Sequence, residues 1–345
     1  MPKVSVILTS FNHDKYLREA IDSVLDQTFE DFELIIWDDA SSDISWHLIG
    51  LYKDPRIVAF RNDHRKGEAF GLNHAISEVA RGQYVAIHHS DDAWEPNKLE
   101  KQVAYLDRHD EIGAVFTNAT IIGEDSSLFT DRSHFYFNVF NQPNRTRHEW
   151  LRFFFKHRNA LCHPSVLIRK ACHDTAGLYN IGVVQYGDLD MWIRLCLRYE
   201  IHVLSEKLTR FRVRDNEANT GANRPDARIR GTYELYKVLQ NYRGITRFDD
   251  LVKIFPSAAK YGRDHATDVP YVLGMMALEE VSWCYARLFG QDLLFEALND
   301  PKRKKNIERQ YNWTPLDFAD ITGRNDVFSV EQAASVRPVV IERHA

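Results

Sequence analysis

Cysteine is scarce in this chain. There are four in 345 residues (Cys162, Cys172, Cys196 and Cys284), far apart and without a CxxC pair. That spacing argues against a disulfide framework and a structural zinc site, and it fits a reducing compartment. Long apolar runs are missing too. Val4 to Phe11 is too short for a secretory h-region and leads into His13-Asp14 rather than a cleavage site. Val269 to Leu278 is about half of a transmembrane span and contains Pro270. Positive charge is not in excess: Lys plus Arg is 44 against 49 Asp plus Glu, a net charge of −5. This disfavours the bulk cationic surface of a non-specific nucleic-acid binder. No G-x-G-x-x-G follows a strand, and neither G-x-x-x-x-G-K-[ST] nor G-x-S-x-G occurs. Dinucleotide binding and P-loop chemistry are thereby disfavoured, and no nucleophile elbow is present. The expectation is a cytoplasmic protein of roughly two domains, with no nucleic-acid partner but able to touch the inner face of a membrane.

What is present is alternation. Val4–Thr9, Leu34–Trp37, Ile57–Phe60, Tyr84–Ile87 and Gly113–Phe116 read as buried strands. Between them lie helical stripes: Leu17, Ile21, Val24 and Leu25 after Asp14 as a cap, then Ala69–Val79, then Pro96–His109. Strand and helix in turn predict βαβ units and a mostly parallel sheet with flanking helices. Short strands at Val166–Ile168, Ile201–Leu204 and Phe211–Val213, and a helix around Asp188–Tyr199, are predicted within looser sequence. After Arg224 the pattern is helical, over Arg228–Tyr242, Phe248–Ile254, Tyr271–Leu288 and Leu293–Leu298. Gly221 and Pro225 suggest a division into residues 1–222 and a mainly helical region, 223–345.

In such sheets ligands bind beyond the carboxyl ends of the strands, and the polar residues cluster there. Asp91-Asp92 directly follows a buried strand and suits a hard divalent cation, or simply the start of a helix. Asp38-Asp39 has the same ambiguity between an acceptor for a base N–H and a helix cap. Asp188 follows Gly187 at a helix start, where an acid is electrostatically favoured and can point into a cleft.

Together these segments have an order and spacing that no single one carries. Lys3–Asn12, Ser23–Phe29, Phe32–Asp43, Gly82–Asp92 and Gly187–Arg194 resemble the family 2 glycosyltransferases of the GT-A fold, over about residues 1–215. The resemblance implies a Rossmann-like, mostly parallel sheet and inverting transfer from a nucleotide-sugar, UDP above all. The acceptor it implies is a hydroxyl of a saccharide or lipid-linked saccharide. It puts Thr9 and Asp39 at the nucleotide base and Asp91 at the ribose. Asp92 falls on a divalent metal (Mn2+ or Mg2+) that bridges the diphosphate, and Asp188 at the catalytic base. A carboxylate of reference pKa about 3.9 needs only position to accept a proton at neutral pH.

The chain departs from the family in two places. His89 stands where the family often has Asp, and reads as a metal ligand, a diphosphate contact or a spacer. Arg212-Val213-Arg214 resembles a family Arg-x-His stretch, which makes Arg212 and Arg214 candidate contacts to the diphosphate or acceptor, with Arg214 unable to ligate metal. His163 falls on the acceptor side. Two other classes compete: a sugar nucleotidyltransferase, against which the missing glycine-rich lysine loop argues, and a non-catalytic nucleotide- or glycan-binding subunit. Retention of both Asp92 and Asp188 argues against the latter. The stripe Tyr271, Met275, Leu278, Val281 and Leu288 suits a core or a homo-oligomer face, and Lys302–Lys305 a solvated loop or an anionic lipid surface.

Overall fold

Strand β1 (Val4–Ser10) is apolar and buried almost throughout, as a strand covered on both faces must be. Helix α1 (Leu17–Leu25) follows, burying Leu17, Ala20, Ile21 and Val24 on one face. The chain continues through β2 (Phe32–Asp38), α2 (Ser45–Leu51), β3 (Ile57–Arg61), α3 (Glu68–His74, extended by a π-helical turn to Val79), β4 (Tyr84–His89), β5 (Ala93–Trp94) and α4 (Lys98–Leu106). Then come β6 (Ile112–Ile122), α5 (Arg147–His157), β7 (Leu167–Arg169), α6 (Cys172–Ala176), α7 (Gly187–Cys196) and β8 (Glu200–Arg212). The eight strands form one sheet in the order β3-β2-β1-β4-β7-β6-β8-β5. β1 runs parallel to β2 and β4, β2 to β3 and β6 to β8, while β7 and β5 are antiparallel to their neighbours. The mostly parallel sheet with flanking helices expected from the alternation is thus present. A single apolar cluster joins β1, β2 and β4 to α1 and α4.

This computed structural model describes residues 1–215, 219, 221, 224–263 and 267–330. Its chain falls into two units, Met1–Glu234 and Leu235–Ala345. The punctuation at Gly221 and Pro225 marks where α8 (Pro225–Leu239) begins; the packing division lies inside that helix. The second unit continues with α9 (Phe248–Ile254), α10 (Val269–Glu279), α11 (Cys284–Asn299), α12 (Pro301–Tyr311) and α13 (Pro315–Arg324). Among the described residues no helix is long and apolar enough to cross a membrane.

Several local expectations are corrected. Asp14 does not cap α1: the cap is Tyr16, without a side-chain bond, and the Asp14 N–H instead donates to Asp43. The two short strands at 201–204 and 211–213 are one strand, β8, whose register against β6 slips at three irregularities. Exposed Ser205, Glu206 and Lys207 hid that continuity. The single helix expected over Tyr271–Leu288 is two, α10 and α11, which pack on each other at Gly274 and Gly290. A Cβ on Gly290 would stand 2.8 Å from the Gly274 carbonyl oxygen, so glycine is what permits this close crossing. α10 is apolar on nearly every side, and burying that surface against a reversed chain outweighs continuing one exposed helix.

Candidate active site

Register brings the polar strand ends together. Thr9 lies beside Trp37 of β2 on one side and His89 of β4 on the other. Just beyond these ends the backbone enters left-handed conformations at non-glycine residues, Asn12 (φ 54°) and Ala40 (φ 60°). Such strain persists only where surrounding structure holds it, and it gathers at ligand sites.

Asp39 is buried and accepts hydrogen bonds through both oxygens. Its Oδ1 accepts from Asn62 Nδ2 and the Lys66 N–H, both at 2.7 Å, and its Oδ2 from the Gly67 N–H at 2.9 Å. Gly67 needs its φ of +89° to cap α3. The next residue, Glu68, accepts from Thr9 Oγ1 at 3.1 Å and lies 3.1 Å from His89 Nε2. Thr9 and Asp39 are therefore tied to consecutive residues of one loop rather than to each other. Glu68 carried no motif and was missed from sequence.

The turn between β4 and β5 presents Asp91 and Asp92. Asp92 is buried; its Oδ1 accepts the Arg212 N–H at 2.8 Å, while its Oδ2 has no hydrogen-bond donor and lies 3.6 Å from His89 Nδ1. Burial first, and the Asp91 charge second, push the Asp92 carboxyl upward. Burial works against a charge on His89, but Glu68 and Asp92 raise its imidazole well above the ordinary value. His163 bridges the other way. Its Nδ1 is 3.2 Å from His89 Nε2 and its Nε2 2.9 Å from the Tyr179 hydroxyl, and burial and His89 together hold it down to about 3.

The two arginines separate. Arg212 is completely buried: Nε donates to Asp91 O, Nη1 to Gly123 O, Glu124 O and Ser126 Oγ, and Nη2 to Glu19 at 2.6 Å. With its donors so committed, it stands behind the carboxylate turn and braces it. Arg214 Nε lies 3.3 Å from Asp91 Oδ2, and Nη1 lies 2.7 Å from His13 Nε2. Arg214, His13, Lys15 and Tyr16 help line a cavity of about 250 Å3, with Asn12, Asp14, Glu124 and Asp215.

Asp188 opens α7, its Oδ1 accepting the Leu189 N–H at 2.6 Å and its Oδ2 the Asn159 amide at 2.5 Å. Burial pushes its carboxyl up to about 7, with Glu68 adding to the rise and His89 opposing it. Asn159, also missed from sequence, is locked by Leu161, whose N–H and C=O both bond its amide. Arg158 just before it takes φ 67°, ψ −157°, a conformation almost restricted to glycine. The loop ahead of Asp188 hangs on buried Glu234, which accepts the N–H groups of Val184, Gln185 and Tyr186. Asp190 forms instead a two-point ion pair with Arg194 within α7.

Residues 5–175, which hold the strand ends and the Asp91-Asp92 turn, match the sequence model of "Glycosyl transferase family 2". The chain belongs to this family. It is 28% identical over 222 residues to the uncharacterized glycosyltransferase MJ1057 of Methanocaldococcus jannaschii, covering 62% of this chain and 73% of that one. It is also 28% identical over 197 residues to the UDP-Glc:alpha-D-GlcNAc-diphosphoundecaprenol beta-1,3-glucosyltransferase WfaP of Escherichia coli, covering 56% and 70%. In fold it is similar to S. aureus TarS 1-349, crystallised with UDP-GlcNAc, with a TM-score of 0.57, 16% identity and coverage of 96% and 92%. The chain is a glycosyltransferase.

Proposed function

We propose that this glycosyltransferase transfers a sugar from a UDP-sugar, with inversion, to a hydroxyl of a saccharide or lipid-linked saccharide, using Asp188 as general base. The observation that carries the reading is the Asp188 carboxyl. It is half-buried, fixed by two hydrogen bonds and raised to about 7, and it feels the charges of Glu68 at the start of α3 and His89 at the end of β4. A base with a pKa near the working pH combines ionisation with driving force for taking the acceptor proton. Asp188 comes from a helix start and the donor residues from strand ends, which supports a base and a leaving group on opposite faces of the sugar.

A divalent cation fits the carboxylate turn. Asp92 keeps one buried oxygen without a donor, and ligand atoms of His89, Asp91 and Asp92 lie within 4.8 Å of one another. Asp92 would hold Mn2+ or Mg2+, with Asp91 at the ribose. The ion supplies neutralisation of the charge that builds on the diphosphate as its bond breaks. Arg214, lining the cavity beside Asp91, would add charge-assisted hydrogen bonds to the same group. Thr9 and Asp39 would hold the base, and His163 would act through His89 rather than on the acceptor. The UDP-Glc donor and diphosphoundecaprenol acceptor in the name of WfaP favour a UDP-sugar and a lipid-linked acceptor here. The helical unit would dock that acceptor or a second copy of the chain, at the inner face of a membrane.

Nucleotide titration tests the base assignment. UDP is expected to bind best, TDP next, and GDP and CDP weakly, with Asp39→Ala erasing the preference. GDP binding tighter than UDP would remove the uracil reading and leave the transferase standing.

A further inference from the structure

We propose that Glu68, His89 and His163 form a binding site for a transition-metal ion of the Zn2+ class, separate in its ligand set from the carboxylates of the Asp91-Asp92 turn. The three side chains come from the start of α3, the end of β4 and the turn before β7. Their ligand atoms converge: Glu68 Oε1 to His89 Nε2 is 3.1 Å, and His89 Nε2 to His163 Nδ1 is 3.2 Å. Two donors held about 2.0–2.2 Å from a tetrahedral ion stand about 3.3–3.6 Å apart. The two edges to His89 therefore need to open by only a few tenths of an ångström, and the third, between Glu68 and His163, lies within 4.8 Å.

The outer contacts are also those of a metal site. A ligating histidine normally gives its second ring nitrogen to a neighbour that fixes its orientation. His163 Nε2 meets the Tyr179 hydroxyl at 2.9 Å, which orients its ring with Nδ1 toward Glu68 and His89. A single proton on His89 Nε2 must be shared between the Glu68 oxygen and the His163 nitrogen, whereas an ion would engage all three ligand atoms. An ion has a route in, since the Glu68 side chain is 45% exposed and that of His89 22%. Two imidazoles and one carboxylate select Zn2+, Co2+ or Ni2+, whereas the oxygen-rich turn selects Mg2+ or Mn2+. The proposal stands on this geometry and does not depend on the reaction assigned above.

The test is a titration of the metal-free full-length chain with Co2+, read by the visible absorption of tetrahedral Co2+, and with Zn2+ by calorimetry. Loss of an outer-shell partner alone weakens metal binding about 10–100-fold, so loss of a ligand is expected to cost about 100-fold or more. His163→Ala and Glu68→Gln should each show that loss, and Asp91→Asn should not. Glu68→Gln keeps the test open if His163→Ala fails to fold. A chain that gives no tetrahedral Co2+ spectrum overturns the proposal. So does binding that survives Glu68→Gln, or that disappears in Asp91→Asn. Failure of the donor reading would appear elsewhere, in nucleotide affinity with Mg2+ or Mn2+.

Discussion

The two units of this chain use glycine, charge and burial in different ways. In the first, buried charge is concentrated where parallel strands end: Asp38, Asp39, Asp91, Asp92 and Arg212 are nearly inaccessible. Buried charges are tolerated only with partners, and each of these has backbone or side-chain partners from other segments of the chain. In the second unit the ion pairs are peripheral, such as Arg243 with Glu296 and Lys260 with Glu279, and the interior is apolar. Its defining contact is the Gly274–Gly290 crossing. One unit spends its buried polarity on holding chemical groups in place; the other packs helices.

The largest effect that sharpens this contrast is expected from Asp188→Asn. Removing a general base should lower transfer about a hundredfold or more while nucleotide affinity and thermal stability stay near the parent values. Near-normal turnover in that variant would take the chemistry away from α7. Next, Asp92→Ala should abolish the divalent-cation enhancement of UDP binding, measured by calorimetry. Arg212→Met should instead destabilise the fold, because it strips partners from Glu19 and from three backbone carbonyls.

A smaller and more specific effect concerns pH. Asp188 must be ionised to accept a proton, and its raised pKa means that kcat/KM rises with pH through about 7. Asn159→Ala removes a donor to the ionised form, so the midpoint should move upward, on the order of one unit. A fall in rate with an unmoved midpoint would reduce Asn159 to a packing role. The smallest effect on chemistry is expected in the second unit. Gly290→Ala should destabilise it by about 1–3 kcal/mol, through collision with the Gly274 carbonyl, and leave nucleotide binding unchanged. Loss of nucleotide binding there would break the contrast.

Much of the first unit is legible in the sequence, because strands buried on both faces read as continuous apolar runs and the chain returns polar residues at their ends. Thr9, Asp39, Asp91 and Asp92 stand at such strand ends, and Asp188 at the glycine-marked start of a helix. Glu68, Asn159 and Glu234 do not. Each is a single polar residue in ordinary helical or loop sequence, and its importance comes from hydrogen bonds to segments distant in the chain. The split of α10 from α11 was hidden for a related reason, since a helix that is apolar all round carries no period to show where it must turn.

The sequence by itself determined the alternation, the sheet class and the order of the acidic strand ends, since these follow from local periodicity and turn chemistry. Only the tertiary structure decided which acids meet which partners. Parallel register set Thr9 beside His89, the loop after β3 brought Glu68 to both, and β8 carried Arg212 behind Asp92. Those pairings depend on through-space contacts between distant segments, and the cost of burying a charge is known only once its neighbours are in place.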